Sequence, residues 1–397
     1  MQKSISRAAL TWRLILSVVV AGSFISCEDS NTVGSGVVDS TKLRVDTLFV
    51  NDFERVSKDI FSGNLLNLPI GKYDDPLFGT FELVGYLKPN LIPVQDDSVT
   101  NSTSLKLFLK TTPKRVYGDT TLSTRYSLYK VTERWRGKSI LASDQIGFDE
   151  TEEVGTFLYS DQDSLVVDLS ESFLLDYASY VNNEDEDRDS LYNFEFFGLA
   201  IVAENNASQI LYPNISESSF LTVDSEDDTL AVSFRDRGFT LERTNQPTFN
   251  DRILLNSDLE TYYKLNFEQL LGDMAEENIL KAELYLYEDT LQLKNSLPAN
   301  HVRPEITFLG LRFIDNLQPV YDILFTAPDF DGFRDSLKNR YRVDITNHVN
   351  EYLFGDPNQK DLVLNLSFNG GIIYSTLLYD SSSSAALKPK IILTVAE

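Results

Sequence analysis

Leu105-Lys106-Leu107-Phe108-Leu109-Lys110 carries a leucine at every second position, with lysine, phenylalanine and lysine between them. Successive side chains of an extended chain point to opposite faces, so a period of two describes a strand with one face in a core; a helix would need apolar residues at i, i+3 and i+4. Similar apolar or alternating runs recur at 126–131, 165–168, 196–202, 229–234, 282–287, 306–313, 362–366 and 391–395. Tyr (19) and Phe (25) supply most of the aromatic residues, and aromatic and β-branched side chains suit a pleated surface. The pattern predicts an all-β fold of antiparallel, jelly-roll-like sandwiches.

A duplication divides the chain. Val167-Asp168-Leu169-Ser170 returns as Val343-Asp344-Ile345-Thr346, and a helical stretch follows each copy. Phe173, Leu174 and Tyr177 share one face of the first helix, Val349, Tyr352 and Leu353 one face of the second, with Ser170 and Thr346 suited to be N-caps. In the same order come Leu199-Ala200-Ile201 and Leu362-Val363-Leu364, then Ile210-Leu211-Tyr212 and Ile372-Ile373-Tyr374. Serine-rich turns follow at 216–219 and 381–384, and closing strands at 230–234 and 392–396. Five matches in one order imply a shared fold. This predicts two tandem sandwiches, each with a short helix, at 41–236 and 237–397, divided near Arg235-Asp236-Arg237-Gly238.

At 397 residues the chain has length for two domains, and 42% hydrophobic residues with 13 Pro and 19 Gly argue against disorder or a fibrous repeat. With 35 basic and 60 acidic residues the net charge is −25, which excludes a general affinity for nucleic acid or anionic lipid unless a basic patch overrides the field; no such patch stands out along the sequence. Residues 1–26 hold Lys3, Arg7 and Arg13 and no acid, then an apolar run from Leu14 to Ile25, the layout of an export signal. The sole cysteine, Cys27, stands where cleavage would occur, and the polar stretch 27–40 reads as a linker.

Ser26-Cys27 after that apolar run resembles the lipidation site of bacterial lipoproteins. The resemblance implies an acylated Cys27 as the mature N-terminus and a membrane as the first partner, each buried methylene contributing about 0.8 kcal/mol. Lys281-Ala282-Glu283-Leu284-Tyr285-Leu286-Tyr287, Val343 to Thr346, 362–366 and Pro389-Lys390-Ile391-Ile392-Leu393 look like the DNRLRE domain, a secreted β-sandwich module of surface proteins; in the first copy Val131 to Trp135 is similar to a strand of that module. Gly71-Lys72-Tyr73-Asp74-Asp75-Pro76-Leu77-Phe78-Gly79 is similar to the Tyr-x-Asp-Pro-x-Phe-Gly segment of Bacteroidota lipoproteins without an assigned activity. These resemblances imply an outer-membrane address, at the cell surface or the periplasmic face, with Glu28 and Asp29 similar to a surface-export signal. They also imply polysaccharide or another envelope protein as partner. Asp followed by Ser or Thr and a small or aliphatic residue, similar to the O-glycosylation acceptor of exported Bacteroidota proteins, occurs at Thr47, Ser98, Thr120, Ser164, Ser190, Thr229, Thr290 and Ser336. The same triplet also suits strand-entry turns, where these side chains bond to backbone amides.

Candidate chemistry is sparse. His301 and His348 lack a second histidine four residues on, and no cysteine remains beside Cys27, so structural zinc is not expected. No Gly-x-Ser-x-Gly elbow is present. The acidic run 184–189 offers Asp185, Asp187 and Asp189 as calcium ligands, with 224–228 a second acidic run, but Arg188 intrudes and the EF-hand glycine is missing, which favours a solvated loop; no cofactor is otherwise implied. Trp135, Tyr73 and Phe78 are the candidate ligand contacts, each weighed against a packing or turn-pinning role. The reading is a non-catalytic envelope lipoprotein that binds glycan or protein or acts as surface structure. The alternatives are a glycan-degrading enzyme with two carboxylates and an adhesion or assembly component.

Overall fold

Ser104–Lys110 is a strand whose three leucines are buried while the residues between them are half-exposed, as its period of two requires. The computed structural model describes residues 42–396 except 52, 58, 64, 93–103, 224–228, 257–260, 267–270, 275–276, 307, 314–319, 322–329, 356–360 and 367–369. The signal 1–26, Cys27, the 27–40 linker, Ser98 and the 224–228 acidic run lie outside the described residues.

The fold is all-β, built as two antiparallel sandwiches. One layer of the first runs Thr229–Val232, Asn214–Val223, Ser104–Lys110, Ser164–Asp168. The facing layer runs Phe148–Tyr159, Thr124–Val131, Leu199–Ala203, Gly79–Pro89, with Phe234–Thr244 on the other side of Gly79–Pro89. Ile70–Asp75, Gln209–Leu211 and Val116–Asp119 extend that layer. In the second sandwich nine described strands form one ribbon: Leu43–Phe49, Lys390–Ala396, Asn278–Tyr287, Arg340–Asp344, Phe330–Asp335, Phe308–Phe313, Asp361–Leu366, Thr261–Asn266, Phe53–Ser57. Position by position the two orders correspond, and Ser164–Asp168 and Arg340–Asp344 bury the same two positions, Leu165 and Val167 against Tyr341 and Val343.

The edges correct the expected division. The boundary between 236 and 237 falls inside Phe234–Thr244, which pairs with Gly79–Pro89 as far as Thr244↔Thr80 and so belongs to the first sandwich. Leu43–Phe49 and Phe53–Ser57, expected in the first unit, pair with Lys390–Ala396 and Thr261–Asn266 and complete the second. An edge strand is positioned by the open ladder of its partner, which local periodicity does not encode. For the same reason the closing-strand match fails: Lys390–Ala396 occupies the place of Asn214–Val223, not of 230–234. Residues 372–374 are buried or half-buried but are not a strand, and 216–219 lie in a bulged strand rather than a turn.

Among the described residues each sandwich carries two α-helices rather than one: α1 (Glu171–Val181) and α2 (Arg188–Glu195) in the first, α3 (Thr290–Asn295) and α4 (Thr346–Phe354) in the second. Ser170 caps α1, its hydroxyl accepting from the Phe173 amide at 3.3 Å, and Phe173, Leu174 and Tyr177 are buried. Thr346 is the first residue of α4 instead of its cap. Its hydroxyl donates to Asp344 Oδ1 (2.6 Å) and accepts from the Ala282 amide (2.9 Å), pinning the helix to the sheet. Ser170→Ala should therefore cost about 1 kcal/mol, the usual value of a lost N-cap, as a lower urea midpoint with unchanged slope. A change below about 0.3 kcal/mol would show that packing alone holds the helix.

Leu254, Val363, Ile372, Ile373 and Leu377, from the second half of the chain, sit in the core of the first sandwich. His301–Val302 adds to the edge of Val116–Asp119, and the Asn67 side-chain amide donates to the Gly370 carbonyl at 2.8 Å. The two sandwiches thus share buried surface.

Candidate functional site

A cavity of about 740 Å³ opens where Gly79–Pro89 ends, Phe234–Thr244 begins, and the segment after Thr124–Val131 crosses them. Its size is that of a small-ligand site. The ladder sets Lys88 opposite Asp236 and Leu87 opposite Arg237, with a register shift between Phe234 and Asp236. Such a bulge re-aims the side chains around it. The segment 136–139 enters from the side as a 3₁₀ turn at Gly137–Ser139, held by the Gly137 amide donating to Asp236 Oδ1 at 2.9 Å. Backbones meet closely there: a Cβ on Gly63 would fall 1.5 Å from the Gly137 carbonyl oxygen, so the approach requires glycine.

Lys88, Arg136, Lys138, Arg235 and Arg237 line this cavity against one carboxylate, Asp236. Lys88 is 3 % exposed, its ammonium donating to the Tyr192 carbonyl at 3.1 Å and lying 4.5 Å from the centre of that ring. Burial pushes its pKa down to about 8, with Asp236 opposing the shift and Arg235, Arg134 and Arg136 adding to it. Burial also lowers that of Arg237. Desolvated cations with one carboxylate among them suit an anion, since charge-assisted hydrogen bonds to carboxylate or sulfate offset the lost hydration. A pair of carboxylates, as glycoside hydrolysis requires, is not among the lining residues.

The basic patch that the sequence did not display is therefore here. Its signal was the pair of triplets Arg134-Trp135-Arg136 and Arg235-Asp236-Arg237, which look locally unremarkable and gain meaning once the ladder joins them to Lys88. Trp135 lines the cavity but is 9 % exposed, with its indole N–H donating to the Phe197 carbonyl at 2.8 Å, so it is a wall and not an exposed stacking platform.

Tyr73 and Phe78 are fully buried core residues, which corrects their candidacy as ligand contacts. The residue that matters in their segment is Asp75, whose side chain is wholly buried. Its Oδ1 accepts from the amides of Leu77 (2.8 Å) and Phe78 (3.1 Å) and from Arg303 Nη2 (2.8 Å). Its Oδ2 accepts from Tyr117 Oη (2.9 Å) and Arg303 Nε (2.6 Å). Arg303 belongs to the second half of the chain, so the turn locks the two sandwiches together.

Asp185 and Asp187 precede α2 and Asp189 lies in its first turn; no group of three or more metal-ligating side chains is gathered among the described residues, so these three do not converge. The Arg188 guanidinium turns inward to the carbonyls of Tyr180 (2.8 Å) and Ile92. Thr47, Ser190, Thr229 and Ser336 are exposed and Thr120, Ser164 and Thr290 half-exposed. The bond to a backbone amide is present at two of these triplets: Asp119 Oδ1, before Thr120, accepts from the Thr121 amide at 2.8 Å, and Asp289 Oδ1, before Thr290, accepts from the Gln292 amide at 3.0 Å.

No family model and no curated protein matches this chain. Among solved structures, one titled "BspA_C_mut" aligns at 8% identity over 91% of each chain with a TM-score of 0.13, a likeness too slight to bear on fold or function.

Proposed function

We propose that this chain is a non-catalytic binding module of the bacterial envelope, tethered through a lipidated Cys27, and that its cavity takes an anionic saccharide. The supporting observation is the concentration of five cations around one cavity in a chain of net charge −25. Trp135 and Phe234 supply apolar wall for a sugar ring, and Asn90, Asn193 and Ser139 supply polar groups suited to hydroxyls. The single lining carboxylate favours binding over hydrolysis.

Calorimetric titration of the chain from Glu28 onward with an oligogalacturonate, a heparin-derived oligosaccharide and maltohexaose tests this. Binding of an acidic probe with a clear loss on adding salt, no binding of maltohexaose and no release of reducing ends is the expected result. Lys88→Met and Arg237→Met should each weaken binding at least about tenfold, the cost of one charge-assisted bond. The free Lys88 amine titrates near 8 and an anion favours its charged form, so affinity is level below that pH and falls above it. Equal affinity for the neutral probe, or turnover of any of the three, overturns the reading. Acylation is checked separately by the mass of the mature N-terminus, which loses the lipid in Cys27→Ser.

A further inference from the structure

The edge strands of the two sandwiches come from opposite places in the chain, and their registers agree to the residue. Across the first sandwich Val167 faces Leu107, Leu107 faces Phe220 and Phe220 faces Val232. Across the second Val343 faces Leu284, Leu284 faces Ile391 and Ile391 faces Leu48. With Val167 and Val343 equivalent in the repeat, Val232 corresponds to Leu48, 184 positions apart. The other layer gives an independent path. Leu199 faces Leu87, which faces Arg237; Leu362 faces Leu265, which faces Phe53. Arg237 and Phe53 are again 184 positions apart. Two routes through different layers thus yield the same offset, so Leu43–Ser57 and Thr229–Thr244 are equivalent strand pairs, each crossing from one layer to the other over the same number of residues.

Their order in the chain differs relative to the bodies they complete. Thr229–Thr244 follows the first body directly, pairing with Asn214–Val223, and closes that body; Leu43–Ser57 runs into the first body, from Ile70 on, yet closes the second. Leu43–Ser57 is thus displaced along the chain from the sandwich it completes. Exchange of such an element between copies conserves the ladder and its contacts, so the same pairing is available between molecules. Of the two pairs, Thr229–Thr244 adjoins in the chain the sandwich it completes, whereas Leu43–Ser57 does not.

We propose that Leu43–Ser57 is a donor element, and that the second sandwich accepts it in trans from a second copy of this chain, linking copies through their second sandwiches. The acceptor is the edge of Lys390–Ala396 together with that of Thr261–Asn266; the donor contributes Val50, fully buried, with Leu48 and Phe53 packed beside it and Arg44 bonded to Glu277 at 2.9 Å. Asp59–Ile60 and the buried Ser62, Leu65 and Leu68 follow the donor and join it to the first sandwich.

Thr47 directly faces Ile392, the first exposed and the second half-buried. Opposed residues in an antiparallel pair have Cα atoms about 4.5–5.5 Å apart, within disulfide range. The chain from Glu28 onward has no other cysteine. Thr47→Cys and Ile392→Cys chains carrying different mass tags, mixed in mild denaturant, returned to buffer and oxidised, should give T47C–I392C cross-links. Their yield should rise with protein concentration and exceed by about tenfold that of T47C with the exposed control S190C, because a shared ladder raises the effective concentration of the two thiols. The double variant T47C/I392C, oxidised when dilute, should close within one chain and then yield no linked dimers. Cross-links between T47C and I392C no more abundant than with S190C overturn the proposal. So does a concentration-independent yield from the mixed chains.

Discussion

Asp75→Ala should cost about 3–5 kcal/mol of folding stability, the penalty for removing one partner of a buried ion pair. The carboxylate has five donors within 3.1 Å, two of them backbone amides of its own turn, one the Tyr117 hydroxyl and two from Arg303. Deleting it strands a guanidinium that is 8 % exposed on the boundary between the sandwiches. Burial works against the Arg303 charge, but the Asp75 carboxylate more than offsets it and the guanidinium pKa stays above its ordinary value. Arg303→Met leaves a carboxylate with three of its donors and should cost less. The double variant should lose less than the sum of the singles, because neither charge is then left alone. Urea unfolding of the four proteins gives the cycle; a loss below about 1 kcal/mol for Asp75→Ala would mean that water reaches the site and the pair is worth no more than a surface one.

How much of this was legible depends on the range of the interaction. The alternation at 105–110 and the Val-Asp repeat report local burial, and both describe the strands as found, because the side-chain period is a property of a few consecutive residues. Helix α1 was legible for the same reason, through Ser170 and its apolar face. The turn between Tyr73 and Phe78 is legible, but the part of Asp75 in it is not: its other partner lies 228 residues away, and no spacing rule joins Asp75 to Arg303. The cavity was hidden similarly: Gly137 and Asp236 are 99 residues apart, and each arginine triplet alone looks like solvated surface. For Trp135, Tyr73 and Phe78 the packing role, one of the two the sequence allows, is the one found, since an aromatic residue beside a strand or turn has a neighbouring layer to fill. The edge strands were misassigned because an edge is defined by what it lacks on one side, and amphipathic period cannot say whose ladder it completes.

Cutting between 236 and 237, where the repeat placed the boundary, should abolish cooperative folding of both halves. The 41–236 piece keeps Leu43–Ser57 without its acceptor and loses Phe239 and Leu241 from its core, along with the pairing of residues 237–244 to Gly79–Pro89. The 237–397 piece is worse placed. It loses both outer strands of its ribbon, exposing the ladders of Lys390–Ala396 and Thr261–Asn266, and it loses Val50, Leu48 and Phe53 from its core. Fully burying one such side chain contributes about 1.5–3 kcal/mol; Val50 is fully buried and Leu48 and Phe53 partly, so their loss, before any hydrogen bond is counted, is a large share of the stability of an ordinary domain, about 5–15 kcal/mol. Circular dichroism should show residual strand without a sigmoidal urea transition, and dye binding should report exposed apolar surface. The informative control is rescue: a peptide of residues 41–60 added to the 237–397 piece should restore the transition, because it returns the missing edges in register. A 237–397 piece that unfolds cooperatively alone would instead show that its two outer strands are appendages to a self-sufficient core, and the accounting of buried side chains above would be wrong.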